Sequence, residues 1–132
     1  MLYTIYKIEK ADNSLIVTGE TSCGTIKGMW KSNDEPVSGK SYNIEISFGL
    51  KTASVSRDDI LIDNKRTESA VSIRDGKNFF AVLCEDIDEI YYIRFSFDGL
   101  AMLDIENDDH TIRKGDFLTI SLPFDEVGIY PY

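Results

Sequence analysis

The residues in this chain best able to do chemistry are its carboxylates. Eight of them fall in two short runs, Glu85, Asp86, Asp88 and Glu89, then Asp104, Glu106, Asp108 and Asp109. Paired carboxylates run acid–base chemistry when their surroundings push their pKa values apart. Turns and wet strand faces, where these fall, do not supply that difference. Asp104, Glu106 and Asp108 also match the first ligand positions of a calcium loop. The match then fails: Asp109 stands where the loop needs Gly, and Gly115 where it needs the closing Glu. The single His110 cannot build a His-rich metal site, and no nucleophile elbow accompanies it. Cys23 and Cys84 form no Cys-x-x-Cys and read as small apolar residues. The expectation is a protein that is not an enzyme, with no metal and no cofactor.

What brings the two acidic runs together is the stretch between them. Tyr91 to Glu106 is two alternating runs around Asp98-Gly99, a strong hairpin signal. A two-residue loop would set Ile93 against Asp104 and mix apolar with charged residues on one face. A three-residue loop, Phe97-Asp98-Gly99, pairs Phe95 with Ala101, Ile93 with Leu103 and Tyr91 with Ile105. One face is then wholly apolar. The other carries Tyr92 opposite Asp104, Arg94 opposite Met102 and Ser96 opposite Leu100. Antiparallel pairing sets the start of one strand beside the end of the next. The eight carboxylates are therefore expected at one end of the hairpin, with Tyr92 on the adjoining outer face, as a partner-binding surface.

The rest of the chain reads as short strands with turn signals between them. Tyr3 to Glu9 and Ser14 to Glu20 flank a turn at Ala11-Asp12-Asn13. Gly24 to Trp30 is a strand, or a loop that drops Trp30 into the core. Lys31 to Gly39 is a loop, and Lys40 to Gly49 alternates cleanly. Ile60 to Ile62 and Ala70 to Arg74 are shorter candidates, the latter closed by Asp75-Gly76. Asn78 to Cys84, apolar on both faces, suits a central covered strand. Glu85 to Ile90 reads as one helical turn or a polar corner. Phe117 to Leu122 is a strand with Leu118, Ile120 and Leu122 facing in, and the apolar tail 124–132 should lie along the body. No 3.6-residue period is sustained over ten residues. The expected fold is a single all-β domain over 1–132, an antiparallel meander closing as a small barrel or half-open sandwich.

Charge is lopsided. Residues 1–66 hold nine Lys/Arg and nine Asp/Glu, whereas 67–132 hold five and fourteen, so the second half carries the whole net charge of −9. Such a field repels nucleic acid and anionic membranes and attracts basic partners. Tyr91, Tyr92, Phe95 and Phe97 offer stacking surfaces, but Arg94 alone makes no basic groove, so nucleic acid is not the expected partner. No run approaches the roughly 18 apolar residues of a membrane span. The start has no signal-peptide pattern, so the expected location is cytoplasmic.

A small, acidic, all-β chain of this kind resembles the bacterial immunity proteins that neutralise toxins of interbacterial competition. The resemblance runs through Gly28-Met29-Trp30 with Pro36 to Ile46, through Glu85 to Glu106, and through Gly115-Asp116-Phe117-Leu118-Thr119-Ile120 with Val127-Gly128-Ile129-Tyr130-Pro131. It implies a cytosolic protein that binds one cognate toxin, often a nuclease, and blocks it. It assigns no individual residue. The alternatives are an OB-like barrel that binds a small ligand or nucleic acid, and a structural domain of a larger assembly.

Overall fold

A computed structural model describes residues 1–95 and 98–132. It is 58% strand and 5% helical, with no helix of seven residues or more. Thirteen strands occur among the described residues. The first four are β1 (Leu2–Ala11), β2 (Ser14–Thr21), β3 (Gly24–Trp30) and β4 (Ser41–Phe48). Then come β5 (Val55–Ser56), β6 (Ile60–Ile62), β7 (Ala70–Arg74), β8 (Lys77–Asp88) and β9 (Ile90–Arg94). The last are β10 (Leu100–Leu103), β11 (Ile105–Glu106), β12 (Phe117–Pro123) and β13 (Val127–Pro131).

Five strands close on themselves. β1 pairs with β2, β2 with β3, β3 with β13, β13 with β4, and β4 with β1. All these pairs are antiparallel except β3 with β13. Closure gives each of these strands a neighbour on both sides, and the side of β3 away from β2 is shared by β13 at Met29 and Trp30 and by β7 of the later chain at Gly24. The turns obey local chemistry: Asp12 takes φ 54° between β1 and β2, and Asp75 and Gly76 take φ 52° and 75° between β7 and β8. Positive φ at both central residues is what a type I′ hairpin needs. The apolar tail does more than lie on the body. As β13 it fills the gap between β3 and β4 and completes the barrel.

Everything from residue 49 to 126 is inserted between β4 and β13. Most of it forms a second antiparallel layer. β8 is its central strand, with β12 and then β6 on one side and β7, β9 and then β10 on the other. The two layers share one core. Phe48 of β4 meets the Phe80 ring of β8 edge-on at 5.0 Å, and Phe80 lies 6.5 Å from Phe95. Tyr3, fully buried, donates its hydroxyl to the Ile26 carbonyl at 2.8 Å. Gly24–Trp30 is both a strand and the carrier of a buried Trp30, whose Nε1 donates to the Asp34 carbonyl.

Backbone pairing also ties the insertion to the barrel: β7 runs parallel to β3 at Gly24 and Val71, and the Val71 N–H donates to the Cys23 carbonyl at 2.8 Å. Asn78, 1% exposed, accepts from the Lys27 N–H at 3.0 Å and donates to the Lys27 carbonyl at 2.7 Å. Its side-chain amide thus imitates a rung of the ladder on the edge of β3 that β2 leaves open. At Gly24 the backbone crosses Val71 so closely that a Cβ would lie 1.9 Å from the Val71 carbonyl oxygen. With φ at 134°, that position needs glycine twice over.

The central hairpin keeps its expected faces but not its register. Tyr91, Ile93, Phe95, Ala101, Leu103 and Ile105 are all buried. Yet Ala101 pairs with Ile93, Leu103 with Tyr91, Met102 with Tyr92 and Leu100 with Arg94. Each pair is shifted by two residues from expectation. A shift of two preserves the faces, so burial alone cannot detect it. Two contacts select it. Phe95 leaves the ladder to pack on Phe80 and Phe48, its N–H going to the Gly99 carbonyl. Ile105 is drawn away to pair with Val55. Ser96 and Phe97 lie outside the described residues, and with them the turn expected at Phe97-Asp98-Gly99 and the Ser96–Leu100 pair.

Candidate functional site

The acidic surface is built by β8, β9 and β10. Glu85 to Ile90 is neither a helical turn nor a corner. β8 runs on to Asp88 and reverses at Glu89, held at φ 62°. Ladder bonds to β9 fix these polar residues as strand, because tertiary pairing outweighs weak local preference. The register slips between Cys84 and Asp86, which makes Glu85 a bulge residue. One extra residue swings its side chain onto the outer face. There it meets Arg94, Nε to Oε1 at 2.7 Å and Nη2 to Oε2 at 3.0 Å. This two-point hydrogen bond holds the Glu85 carboxyl below its ordinary range.

The eight carboxylates do not share one environment. Asp86 lies opposite Tyr92 on the exposed face, 4.0 Å from Lys114 Nζ. Asp88 lies opposite Ile90, Glu89 is the tip, and Asp104 follows β10 directly, so by register Asp88 and Asp104 flank Ile90 from either side. Glu106 has left the hairpin and pairs with Ser56. Asp108 and Asp109 are turn builders. Asp108 accepts from the Tyr91 hydroxyl and from the His110 N–H. Asp109 accepts from the Thr111 hydroxyl and N–H and from Arg57, which bring its pKa down to about 2. Burial, then the bond to Asp108, pushes Tyr91 up to about 12. Asp88, Glu89, Asp104 and Glu106 are exposed and make no ion pair among the described residues. Beside them the outer face carries half-buried Tyr92 and exposed Leu100 and Met102, 47% and 63% accessible.

A groove of about 790 Å³ opens at the other end of the same face. Cys23, Leu83, Phe95 and Phe117 give it an apolar floor, and Glu68, Asp98 and Arg94 stand around it. Cys23 is half-buried, whereas Cys84 is a core residue, and burial raises the pKa of both thiols. The groove had no signal in the sequence, since it is assembled from the β2–β3 turn, the segment before β7, β8, the β9–β10 region and β12.

His110 is exposed, its Nδ1 3.4 Å from Asp108. Among the described residues no group of three His, Cys, Asp or Glu side chains is placed to hold a metal. No helix among them is long and apolar enough to cross a membrane. No family model, curated protein or solved structure matches this chain.

Proposed function

We propose that this chain is a non-enzymatic protein-binding module, an immunity protein that holds a basic toxin domain, a nuclease being the favoured kind, against its acidic surface in the cytoplasm. The observation that carries the reading is the set of exposed, unneutralised carboxylates Asp88, Glu89 and Asp104 beside the exposed apolar side chains of Leu100 and Met102. Like charges gathered this way repel one another, and a basic partner relieves that repulsion. Apolar residues beside them supply a surface to dry against the partner, and the charges supply steering and selectivity.

A second reading has one observation in its favour. The barrel strands close in the order first, second, third, fifth, fourth, with the third and fifth parallel, which is the connectivity of OB-type barrels that bind oligonucleotides. Against it, Lys27 on β3 is already paired with Glu9, at 3.3 Å.

The test is affinity capture from the native host with two baits. One is the wild type and the other carries Asp86→Asn, Asp88→Asn, Glu89→Gln and Asp104→Asn. The reading expects the wild type alone to retain a basic protein that kills cells when expressed without its inhibitor. Equal retention by both baits, or tight binding of single-stranded nucleic acid by the wild type, overturns it.

A further inference from the structure

We infer that the groove beside Arg94 is the anchor point for a basic side chain of the partner, received as part of a short peptide segment. The inference rests on the reading above and adds to it where the partner's strongest contact falls. The floor of Cys23, Leu83, Phe95 and Phe117 offers apolar surface to an aliphatic stem. The charges around it suit a cation. Glu68 is exposed with no ion pair among the described residues, and Asp98, 66% accessible at its side chain, adds a second carboxylate, its Oδ2 3.6 Å from the N-terminal ammonium of Met1. Arg94 also lines the groove, but its guanidinium is engaged by Glu85 at 2.7 Å. Lys and Arg side chains bury their stems on apolar surface and keep the charged head at a wet rim, which is the division this groove presents. Its volume lies within the ordinary range of ligand sites and exceeds what one side chain fills, so flanking residues of the segment enter too. The groove continues into the acidic face through Arg94, since Leu83 and Leu100 are its neighbours on β8 and β10. An anchor that fills a pocket next to a charged rim is the usual plan of a tight interface.

Cys23 makes the inference testable, because it lines the groove while Cys84 is fully buried and silent. The probes are two blocked peptides, acetyl-Leu-Arg-Leu-amide and acetyl-Leu-Glu-Leu-amide. Each is titrated into the full chain while iodoacetamide labelling of Cys23 is followed, alongside amide NMR shifts. The expected result is that the arginine peptide slows labelling and shifts Leu83, Phe95 and Phe117, while the glutamate peptide does neither. Glu68→Gln, an exposed change that leaves the fold alone, should weaken the arginine peptide by about fivefold, the scale of one rim ion pair. Shifts confined to Asp88, Glu89 and Asp104, with Cys23 labelling unchanged, would overturn the groove and leave the acidic-surface reading standing. An arginine peptide that binds no better than the glutamate peptide anywhere would overturn both.

Discussion

The barrel and the layer inserted into it are built from the same kind of strand and share one core, yet they carry charge differently. The barrel segments, 1–48 and 127–132, hold five Lys/Arg against six Asp/Glu, whereas 49–126 holds nine against seventeen, a net −8. In the barrel Glu9 is bracketed by Lys7 and Lys27, and Glu20 accepts from Thr25. In the insertion the acids at the β8–β9 tip are left to solvent. An excursion between two barrel strands is free to present a surface. The comparison teaches that the charge excess belongs to one structural unit, an insertion, and not to half of the sequence.

The shared core is the part of this comparison that breaks most violently. Ile93 in the insertion and Ile26 in the barrel are both fully buried. Ile93→Asp, Leu103→Asp and Ile26→Asp should each cost more than about 4 kcal/mol by burying an unpaired charge. Each should unfold both layers in one transition, seen by circular dichroism and by Trp30 fluorescence together. A barrel that stays folded in Ile93→Asp would mean two independent units.

The junction comes next. Asn78→Ala strands the Lys27 N–H and carbonyl without partners, at a cost of about 2–4 kcal/mol for two buried groups. Denaturant unfolding measures the loss, and hydrogen exchange at the Lys27 amide should accelerate more than at other β3 amides. A loss below half that size would mean water replaces the amide without difficulty.

Much of this architecture is legible in the sequence because it is local. The β1–β2 hairpin, β4 with its alternation of Tyr42, Ile44, Ile46 and Phe48, and the inward set Leu118, Ile120 and Leu122 follow from period and turn chemistry. What escapes is what depends on distant partners. Nothing in Val127 to Pro131 says that it fits between β3 and β4. Nothing in Glu85 to Ile90 announces a strand, because its partners lie across a reversal. The same holds for the site. The acidic end was visible, but not that Glu85 is engaged by Arg94 through a bulge or that Asp109 is held by Arg57, 52 residues away.

A smaller effect concerns pH. Tyr91 has its folded pKa raised from the ordinary 10 to about 12, so the protonated phenol is favoured in the folded state. That contribution is whole below pH 10 and is lost as pH rises through 12. Glu85, Asp109 and Asp116 are held low instead, so theirs is present above the ordinary carboxylate range and is lost as pH falls through the folded values. Denaturant midpoints across pH should therefore fall at both ends. Burial also raises the Tyr3 hydroxyl and the Cys23 and Cys84 thiols, so Tyr91→Phe should make the alkaline limb shallower without abolishing it, and an unchanged alkaline limb in that variant would remove Tyr91 from the account.

The smallest effect on stability is expected from the change that matters most to function. Asp86→Asn, Asp88→Asn, Glu89→Gln and Asp104→Asn together should alter stability little, each exposed site contributing within about 0.5 kcal/mol. The measurement that tests the central claim most directly is the association rate of the captured basic partner with wild type and with this variant, at low and at high salt. Steering by exposed carboxylates predicts that wild-type association slows markedly as salt rises, with dissociation changing less, and that the variant associates slowly at both. Wild-type association that ignores salt, or a variant that associates as fast as wild type, would contradict the claim and leave the acidic insertion as a solubilising surface.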